Sequence, residues 1–229
     1  MNRRQYLGTV AGTGAVAAAG CLGGGGYETT EVNGESVPLA PTDDAYDWYE
    51  NENLVVVDAR SRTEWEHTRI AGAVWSPAPE GQQGSDPVEQ YSEDRRILTY
   101  CGCPHHLSTQ RAASLIADGY EEVYALDKGI RDWIDQQYPI EGENVAQRLP
   151  TYEIQGETSS DAAGEEVWVR EPQSGQREPS VIGSDGSYEV TFHFVEIDES
   201  TPLTVETPEY EVRAPLGTLT GTTVTPALV

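Results

Sequence analysis

The chain has 229 residues, enough for one large domain or two small ones. Its 39 acidic residues against 14 basic ones give a formal net charge of −25. That balance excludes nucleic acid as a partner, because phosphate binding needs clustered Lys and Arg. Three cysteines exclude a disulfide framework.

The N-terminus reads as a targeting segment. Asn2-Arg3-Arg4-Gln5-Tyr6-Leu7-Gly8 precedes a run of small apolar residues to Gly20. The arginine pair resembles a twin-arginine (Tat) export signal. The run is too short and too rich in Ala and Gly for a membrane helix. Ala18-Ala19-Gly20-Cys21 resembles a lipobox, in which the cysteine is lipidated and becomes the first residue. We therefore expect a signal peptide over 1–20, a Gly-rich tether over 21–35, and a lipoprotein held on the outer face of the cell membrane through Cys21. An ordinary cleaved signal and an uncleaved anchor are the alternatives. Cys101 and Cys103 then remain, outside the cell.

Val37-Pro38-Leu39 is expected to be a short edge strand, since Pro is tolerated there. Thr42 is the expected cap of a helix with Asp43 and Asp44 in its first turn. The continuous β-branched run Leu54-Val55-Val56-Val57-Asp58 suits a parallel strand buried on both faces. Ser61 and Glu64 have capping-box spacing for a helix over 61–66. A further short strand is expected over 70–74 and one helical turn near 88–91.

Ile97-Leu98-Thr99-Tyr100 is an apolar run that ends at Cys101. Gly102-Cys103-Pro104-His105-His106 follows as a polar loop. Leu107, Ala112, Leu115 and Ile116 then recur at helical spacing, with Gly119 closing the helix. A loop that closes on a helix N-terminus offers unpaired N–H groups and a positive dipole end, which favour a thiolate. The alternative is a structural Cys-x-Cys pair. Val123–Leu126 is another strand, and Asp127-Lys128-Gly129 turns into a helix carrying Ile130, Trp133 and Ile134. Strands alternating with helices predict an α/β domain with a mainly parallel sheet over 36–143.

After Pro139 the pattern changes. Strands are predicted over 152–155, 166–170, 188–195, 203–206, 210–213 and 218–225, with a tight turn at Ser184-Asp185-Gly186-Ser187. Residues 150–229 are expected to be a small all-β sandwich without a convincing helix. Its Asp-Gly-Ser-Tyr turn resembles that of transthyretin-like or carboxypeptidase-regulatory modules.

The first domain resembles the rhodanese family of sulfurtransferases over about Val37 to Glu141. Val55-Val56-Val57-Asp58-Ala59-Arg60 is similar to the family's strand ending in Asp-x-Arg. Glu64-Trp65, then Arg69-Ile70-Ala71-Gly72-Ala73, is similar to the Glu-Tyr and His-Ile-Pro-Gly-Ala segment. Tyr100-Cys101 resembles the strand end that carries the catalytic cysteine. Ala125-Leu126-Asp127-Lys128-Gly129-Ile130 with Trp133 resembles the closing strand, turn and helix. The active loop departs from the family's Cys-x-x-Gly-x-Arg pattern. Strand alignment makes Cys101 the nucleophile in a longer loop, and helix alignment makes it Cys103 in a normal one. The acidic, Lys-poor composition resembles that of halophilic archaeal proteins.

The resemblance implies a thiolate that takes sulfur from thiosulfate or a similar small anionic donor, forms a persulfide, and passes the sulfur to a thiol or cyanide-like acceptor. His105, His106 and Arg111 are the candidates for binding the anion, with Asp58 and Arg60 supporting the site. The histidines could instead be solvent-exposed or metal ligands, and Arg111 could pair with Asp118 or Glu122. His67 and His193 are expected at the surface, and Trp65, Trp75 and Trp133 in the core. No cofactor or metal is required, and no protein partner is identified. The alternative functions are a thiol-redox protein using Cys101 and Cys103, and a catalytically silent binding module.

Overall fold

A computed structural model describes residues 26–51, 54–102 and 104–228. The twin arginines, Cys21 and Cys103 lie outside the described residues.

The first strands, β1 (Thr29–Val32) and β2 (Glu35–Ala40), form an antiparallel hairpin. Its turn is Asn33-Gly34, with φ of 53° and 88°, the left-handed pair that a two-residue hairpin turn requires. The expected tether thus gives way to structure at Thr29. β2 is also not an edge strand, because β1 covers it. Helix α1 (Thr42–Glu50) starts from Pro41, not from a Thr42 cap. Thr42 already lies inside the helix, and its buried hydroxyl has no hydrogen-bond partner among the described residues.

β3 (Val55–Asp58) leads into α2 (Arg62–His67), where Ser61 and Glu64 close the expected capping box. Two short strands follow, β4 (Arg69–Ile70) and β5 (Val74–Trp75), and a 3-10 turn over Pro87–Gln90. Next come β6 (Ile97–Tyr100), α3 (Leu107–Ala117), β7 (Val123–Leu126) and α4 (Gly129–Asp135). β8 (Ile140–Glu141) returns to pair antiparallel with β4.

The six-stranded sheet has the order β1-β2-β7-β6-β3-β5, parallel throughout except for the β1–β2 hairpin. Both of its faces are covered. Val55, Val57, Ile97 and Val123 pack with Ala112 and Leu115 of α3. Val56, Leu98, Tyr100 and Leu126 pack on the other face with Ile130 and Trp133 of α4. This two-sided burial explains why these strands read as unbroken apolar runs. The chain leaves β3 toward β5 on one side and leaves β6 toward β7 on the other. The crevice between the C-terminal ends of β3 and β6 is therefore a topological switch point, where α/β sheets place their sites.

The C-terminal β region has strands β9 (Tyr152–Glu157), β10 (Glu166–Glu171), β11 (Gln176–Val181), β12 (Ser187–Phe192), β13 (Pro202–Glu206) and β14 (Glu211–Pro215). They form a four-stranded sheet, β11-β10-β13-β14, and a β12–β9 pair around a core of Ile154, Val167, Val190, Phe192, Leu203 and Val205. Two predictions fail here. The strand expected over 218–225 is replaced by helix α5 (Leu216–Thr220), which starts at Pro215 and buries Leu216 and Leu219 one turn apart. β11 was not predicted, because Gln176-Arg177-Glu178-Pro179 is polar and carries a proline; it is an edge strand, where Pro is allowed.

Candidate functional site

Cys101 follows the last residue of β6, directly beside the end of β3. Asp58, Arg60 and Tyr100 fix this corner. Asp58 Oδ2 accepts from the Tyr100 hydroxyl and from an Arg60 terminal nitrogen, each at 2.6 Å. Asp58 Oδ1 accepts from Arg60 Nε and from its backbone N–H, each at 3.0 Å. Arg60 also donates to the Thr68 carbonyl at 2.7 Å. Burial works against the Arg60 charge, but the Asp58 carboxylate beside it holds the guanidinium protonated. These two residues brace the corner beside Cys101. The Ile130 N–H, from the start of α4, holds the Cys101 carbonyl at 2.9 Å.

The sulfur lies in a cradle at the start of α3. Backbone N–H groups of Ser108 and His106 point to Cys101 Sγ, and the Ser108 hydroxyl lies 3.4 Å from it. Thr99 Oγ1 donates to the Ser108 carbonyl at 2.8 Å, tying this first turn back to β6. All three groups stabilise a thiolate. Other terms oppose them. Cys101 is fully buried, at 0% exposure, in a cluster with Ala59, Ala78 and Leu107. Burial, followed by the Glu178 charge, pushes the thiol up to about 11.

Glu178 comes from β11. Its Oε1 lies 3.2 Å from His106 Nδ1, and it is itself buried, which raises its carboxyl above the usual range. Trp168 of β10 packs against the Cys101 cluster. Arg177 donates to the Ala78 carbonyl. Thr63 donates to the Ser174 carbonyl at 3.3 Å, and Gln110 donates to Glu166 at 2.8 Å. The β10–β11 hairpin therefore covers the cysteine. Neither Trp168 nor Glu178 carries a local motif that reveals this contact. Ser108 was within reach of the sequence, as a polar residue in the first turn of the helix behind the loop.

The other candidates divide. His106 joins the site through Glu178 and its N–H. His105 turns the other way, at φ 36°, with Nε2 3.8 Å from Asp127. Arg111 holds the loop after β5: it donates to Ser76 at 2.8 Å and to the Pro79 carbonyl at 3.3 Å, and lies 3.4 Å from Asp86. Its partner is thus Asp86 and not Asp118 or Glu122. His67 is not a surface residue: it is buried and joined to Thr68 and Gln147. His193 is half-buried and lines a cavity of about 160 Å³ beside Gly102, with Arg60, Arg131 and Val145. Trp133 is fully buried, whereas Trp65 and Trp75 are half-buried. Among the described residues no group of three His, Cys, Asp or Glu could hold a metal ion.

A doubly covered, mainly parallel sheet with a buried cysteine at its switch point defines an α/β domain of the doubly wound class. Residues 41–136 match the family described as "Rhodanese-like domain", and this part of the chain is a rhodanese-like domain. The thiosulfate sulfurtransferase GlpE of Glaesserella parasuis serovar 5 (strain SH0165) is 28% identical over 98 residues, covering 42% of this chain and 86% of that protein. GlpE of Coxiella burnetii (strain RSA 331 / Henzerling II) is 29% identical over 91 residues, covering 39% and 80%. Among solved structures, the rhodanese-like domain of an Anabaena sp protein has a TM-score of 0.41 at 21% identity, covering 48% of this chain and 83% of that one.

Proposed function

We propose that this chain is a rhodanese-type sulfurtransferase with Cys101 as its nucleophile. The thiolate attacks the outer sulfur of thiosulfate or a similar sulfane donor, holds that sulfur as a persulfide, and yields it to a thiol or cyanide-like acceptor. The observation that carries the reading is the cradle of Ser108 and His106 N–H groups and the Ser108 hydroxyl around Cys101 Sγ. The distant relatives named as thiosulfate sulfurtransferases support the same class. The experiment is mass spectrometry of donor-treated protein: one added sulfur on Cys101, retained in Cys103→Ser and lost in Cys101→Ser. If the two variants exchange phenotypes, Cys103 is the nucleophile. A redox cycle between dithiol and disulfide without any persulfide sinks the reading.

Full burial of Cys101 beneath the β10–β11 hairpin favours one second reading, a rhodanese fold kept as a silent binding module. Absence of both persulfide and redox cycling in the wild type selects it.

The proposal also puts the protein on the outer face of the membrane through lipidated Cys21, on the strength of Arg3-Arg4 and Ala19-Gly20-Cys21. No helix among the described residues is long and apolar enough to cross a membrane. Loss of membrane partition in Cys21→Ala tests the anchor, and unchanged partition rejects it.

A further inference from the structure

Glu178 is 4% exposed, and its Oε1 lies 3.2 Å from Nδ1 of His106. The backbone N–H of the same His106 is one of the donors on Cys101 Sγ. His106 thus links the two: its ring meets the carboxylate and its N–H serves the sulfur, while Cys101 itself packs with Ala59, Ala78, Leu107 and Trp168. A charge in such a setting is screened little by salt or water.

The arginines nearby are committed elsewhere, and His106 is the ionisable partner that Glu178 meets directly, at 3.2 Å. Arg60 gives its hydrogen bonds to Asp58 and Thr68 and reaches Glu178 only as a neighbouring charge. Arg111 serves Ser76, Pro79 and Asp86, and Arg177 serves Ala78. The groups facing Glu178 are His106, Arg60 and Cys101.

Sulfur donors differ in the charge they bring to this place. With thiosulfate, Cys101 Sγ forms an S–S bond to the outer sulfur of a dianion. The donor's own S–S bond breaks, and its electron pair leaves with sulfite. With a neutral hydropersulfide, R–S–SH, the same displacement leaves the SH-bearing sulfur on Cys101 and releases R–S⁻. A carboxylate beside the nucleophile penalises the first approach and spares the second.

We infer that Glu178 is a specificity-determining residue of the Cys101 site: the C-terminal β region delivers a carboxylate that slows dianionic donors such as thiosulfate relative to uncharged sulfanes. The substrate class rests on the proposed sulfur transfer, whereas the charge filter can be read without it.

The test is the alkylation rate of Cys101, followed by peptide mass mapping, with iodoacetate and iodoacetamide. The two reagents are close in size and differ by one negative charge. In Glu178→Gln the iodoacetate-to-iodoacetamide rate ratio is expected to rise roughly tenfold over wild type, and the pH profile of both reactions to move to lower pH. Glu178→Asp, which keeps the charge, should retain the low ratio. An unchanged ratio in Glu178→Gln overturns the inference. An equal acceleration of both reagents also overturns it, because it marks Glu178 as a steric cover only. Persulfide yield from thiosulfate, relative to a neutral hydropersulfide, should rise with the ratio; a flat yield overturns the specificity claim. A raised ratio with no persulfide from either donor sinks the sulfur-transfer reading and the donor selectivity together, and leaves the charge filter standing.

Discussion

At the scale of single residues, the site sets stabilised charges against buried ones. Cys101 has the donors a thiolate needs, yet burial and Glu178 hold it protonated. Ser108→Ala removes one donor and keeps the backbone N–H groups, so Cys101 alkylation should slow by roughly threefold to tenfold at neutral pH. An unchanged rate would show that the hydroxyl does not stabilise the thiolate. Glu64 is a second buried acid. Burial raises its carboxyl from 4.5 to about 7, against the pull of Arg60 and the Ser61 hydrogen bonds. The native state therefore binds the extra proton, and this contribution to stability is complete below about 4.5 and lost as pH rises through about 7. Gln can replace Glu in a capping box. Glu64→Gln should match wild type in acid and melt a few °C higher above neutrality, as thermal unfolding across pH would show. Equal melting points at both ends refute the buried-acid account. His193 works in the opposite sense. Burial, then Arg131, lowers it from 6.5 to about 4, so its contribution is present above about 6.5 and lost as pH falls toward about 4.

At the scale of elements, the loop after β5 depends on one glycine. Gly81 has φ 79°, and a Cβ there would collide with the Asp86 carboxylate and with Arg111. Gly81→Ala should cost about 2–4 kcal/mol, from left-handed strain plus displacement of a buried ion pair. Chemical denaturation checks the figure, and a loss under about 1 kcal/mol would mean that the loop relaxes without harm. Legibility in the sequence follows the same local physics. The parallel strands were legible because both faces are buried, which leaves apolar runs. The α2 cap was legible because Ser61 and Glu64 contact each other within one turn. The β1–β2 hairpin carries a readable Asn33-Gly34 signal, but the Gly-rich stretch before it dominates the local pattern and reads as tether. β11 gave no such signal, because an edge strand needs neither apolar residues nor freedom from proline. The Cys101 end of the site was therefore readable, while its Glu178 and Trp168 side depends on docking between distant segments.

At the scale of the whole molecule, the same docking makes the C-terminal β region a wall of the site. Trp168 is half-buried against the Cys101 cluster, with the Arg170 guanidinium 4.5 Å and that of Arg177 5.7 Å from its ring centroid. Trp168→Ala should cost roughly 1–3 kcal/mol, less than truncation of a fully buried Trp. It should speed Cys101 alkylation by neutral and anionic reagents alike, since it opens space and leaves Glu178 in place. A change in only one of the two rates would contradict that assignment.

The net charge of −25 acts on a different part of the energy. Its acidic groups are largely exposed, so they repel one another through solvent, where salt screens them within about 8 Å at physiological ionic strength. Raising KCl should therefore raise the melting temperature, and sucrose at matched osmolality should raise it less. Glu178 and Cys101 are both buried, so salt screens the charge between them little. The alkylation ratio at Cys101 should accordingly stay nearly constant over the salt range that moves the melting point. A ratio that tracks salt in step with stability would mean that the surface field, not the buried carboxylate, controls the cysteine.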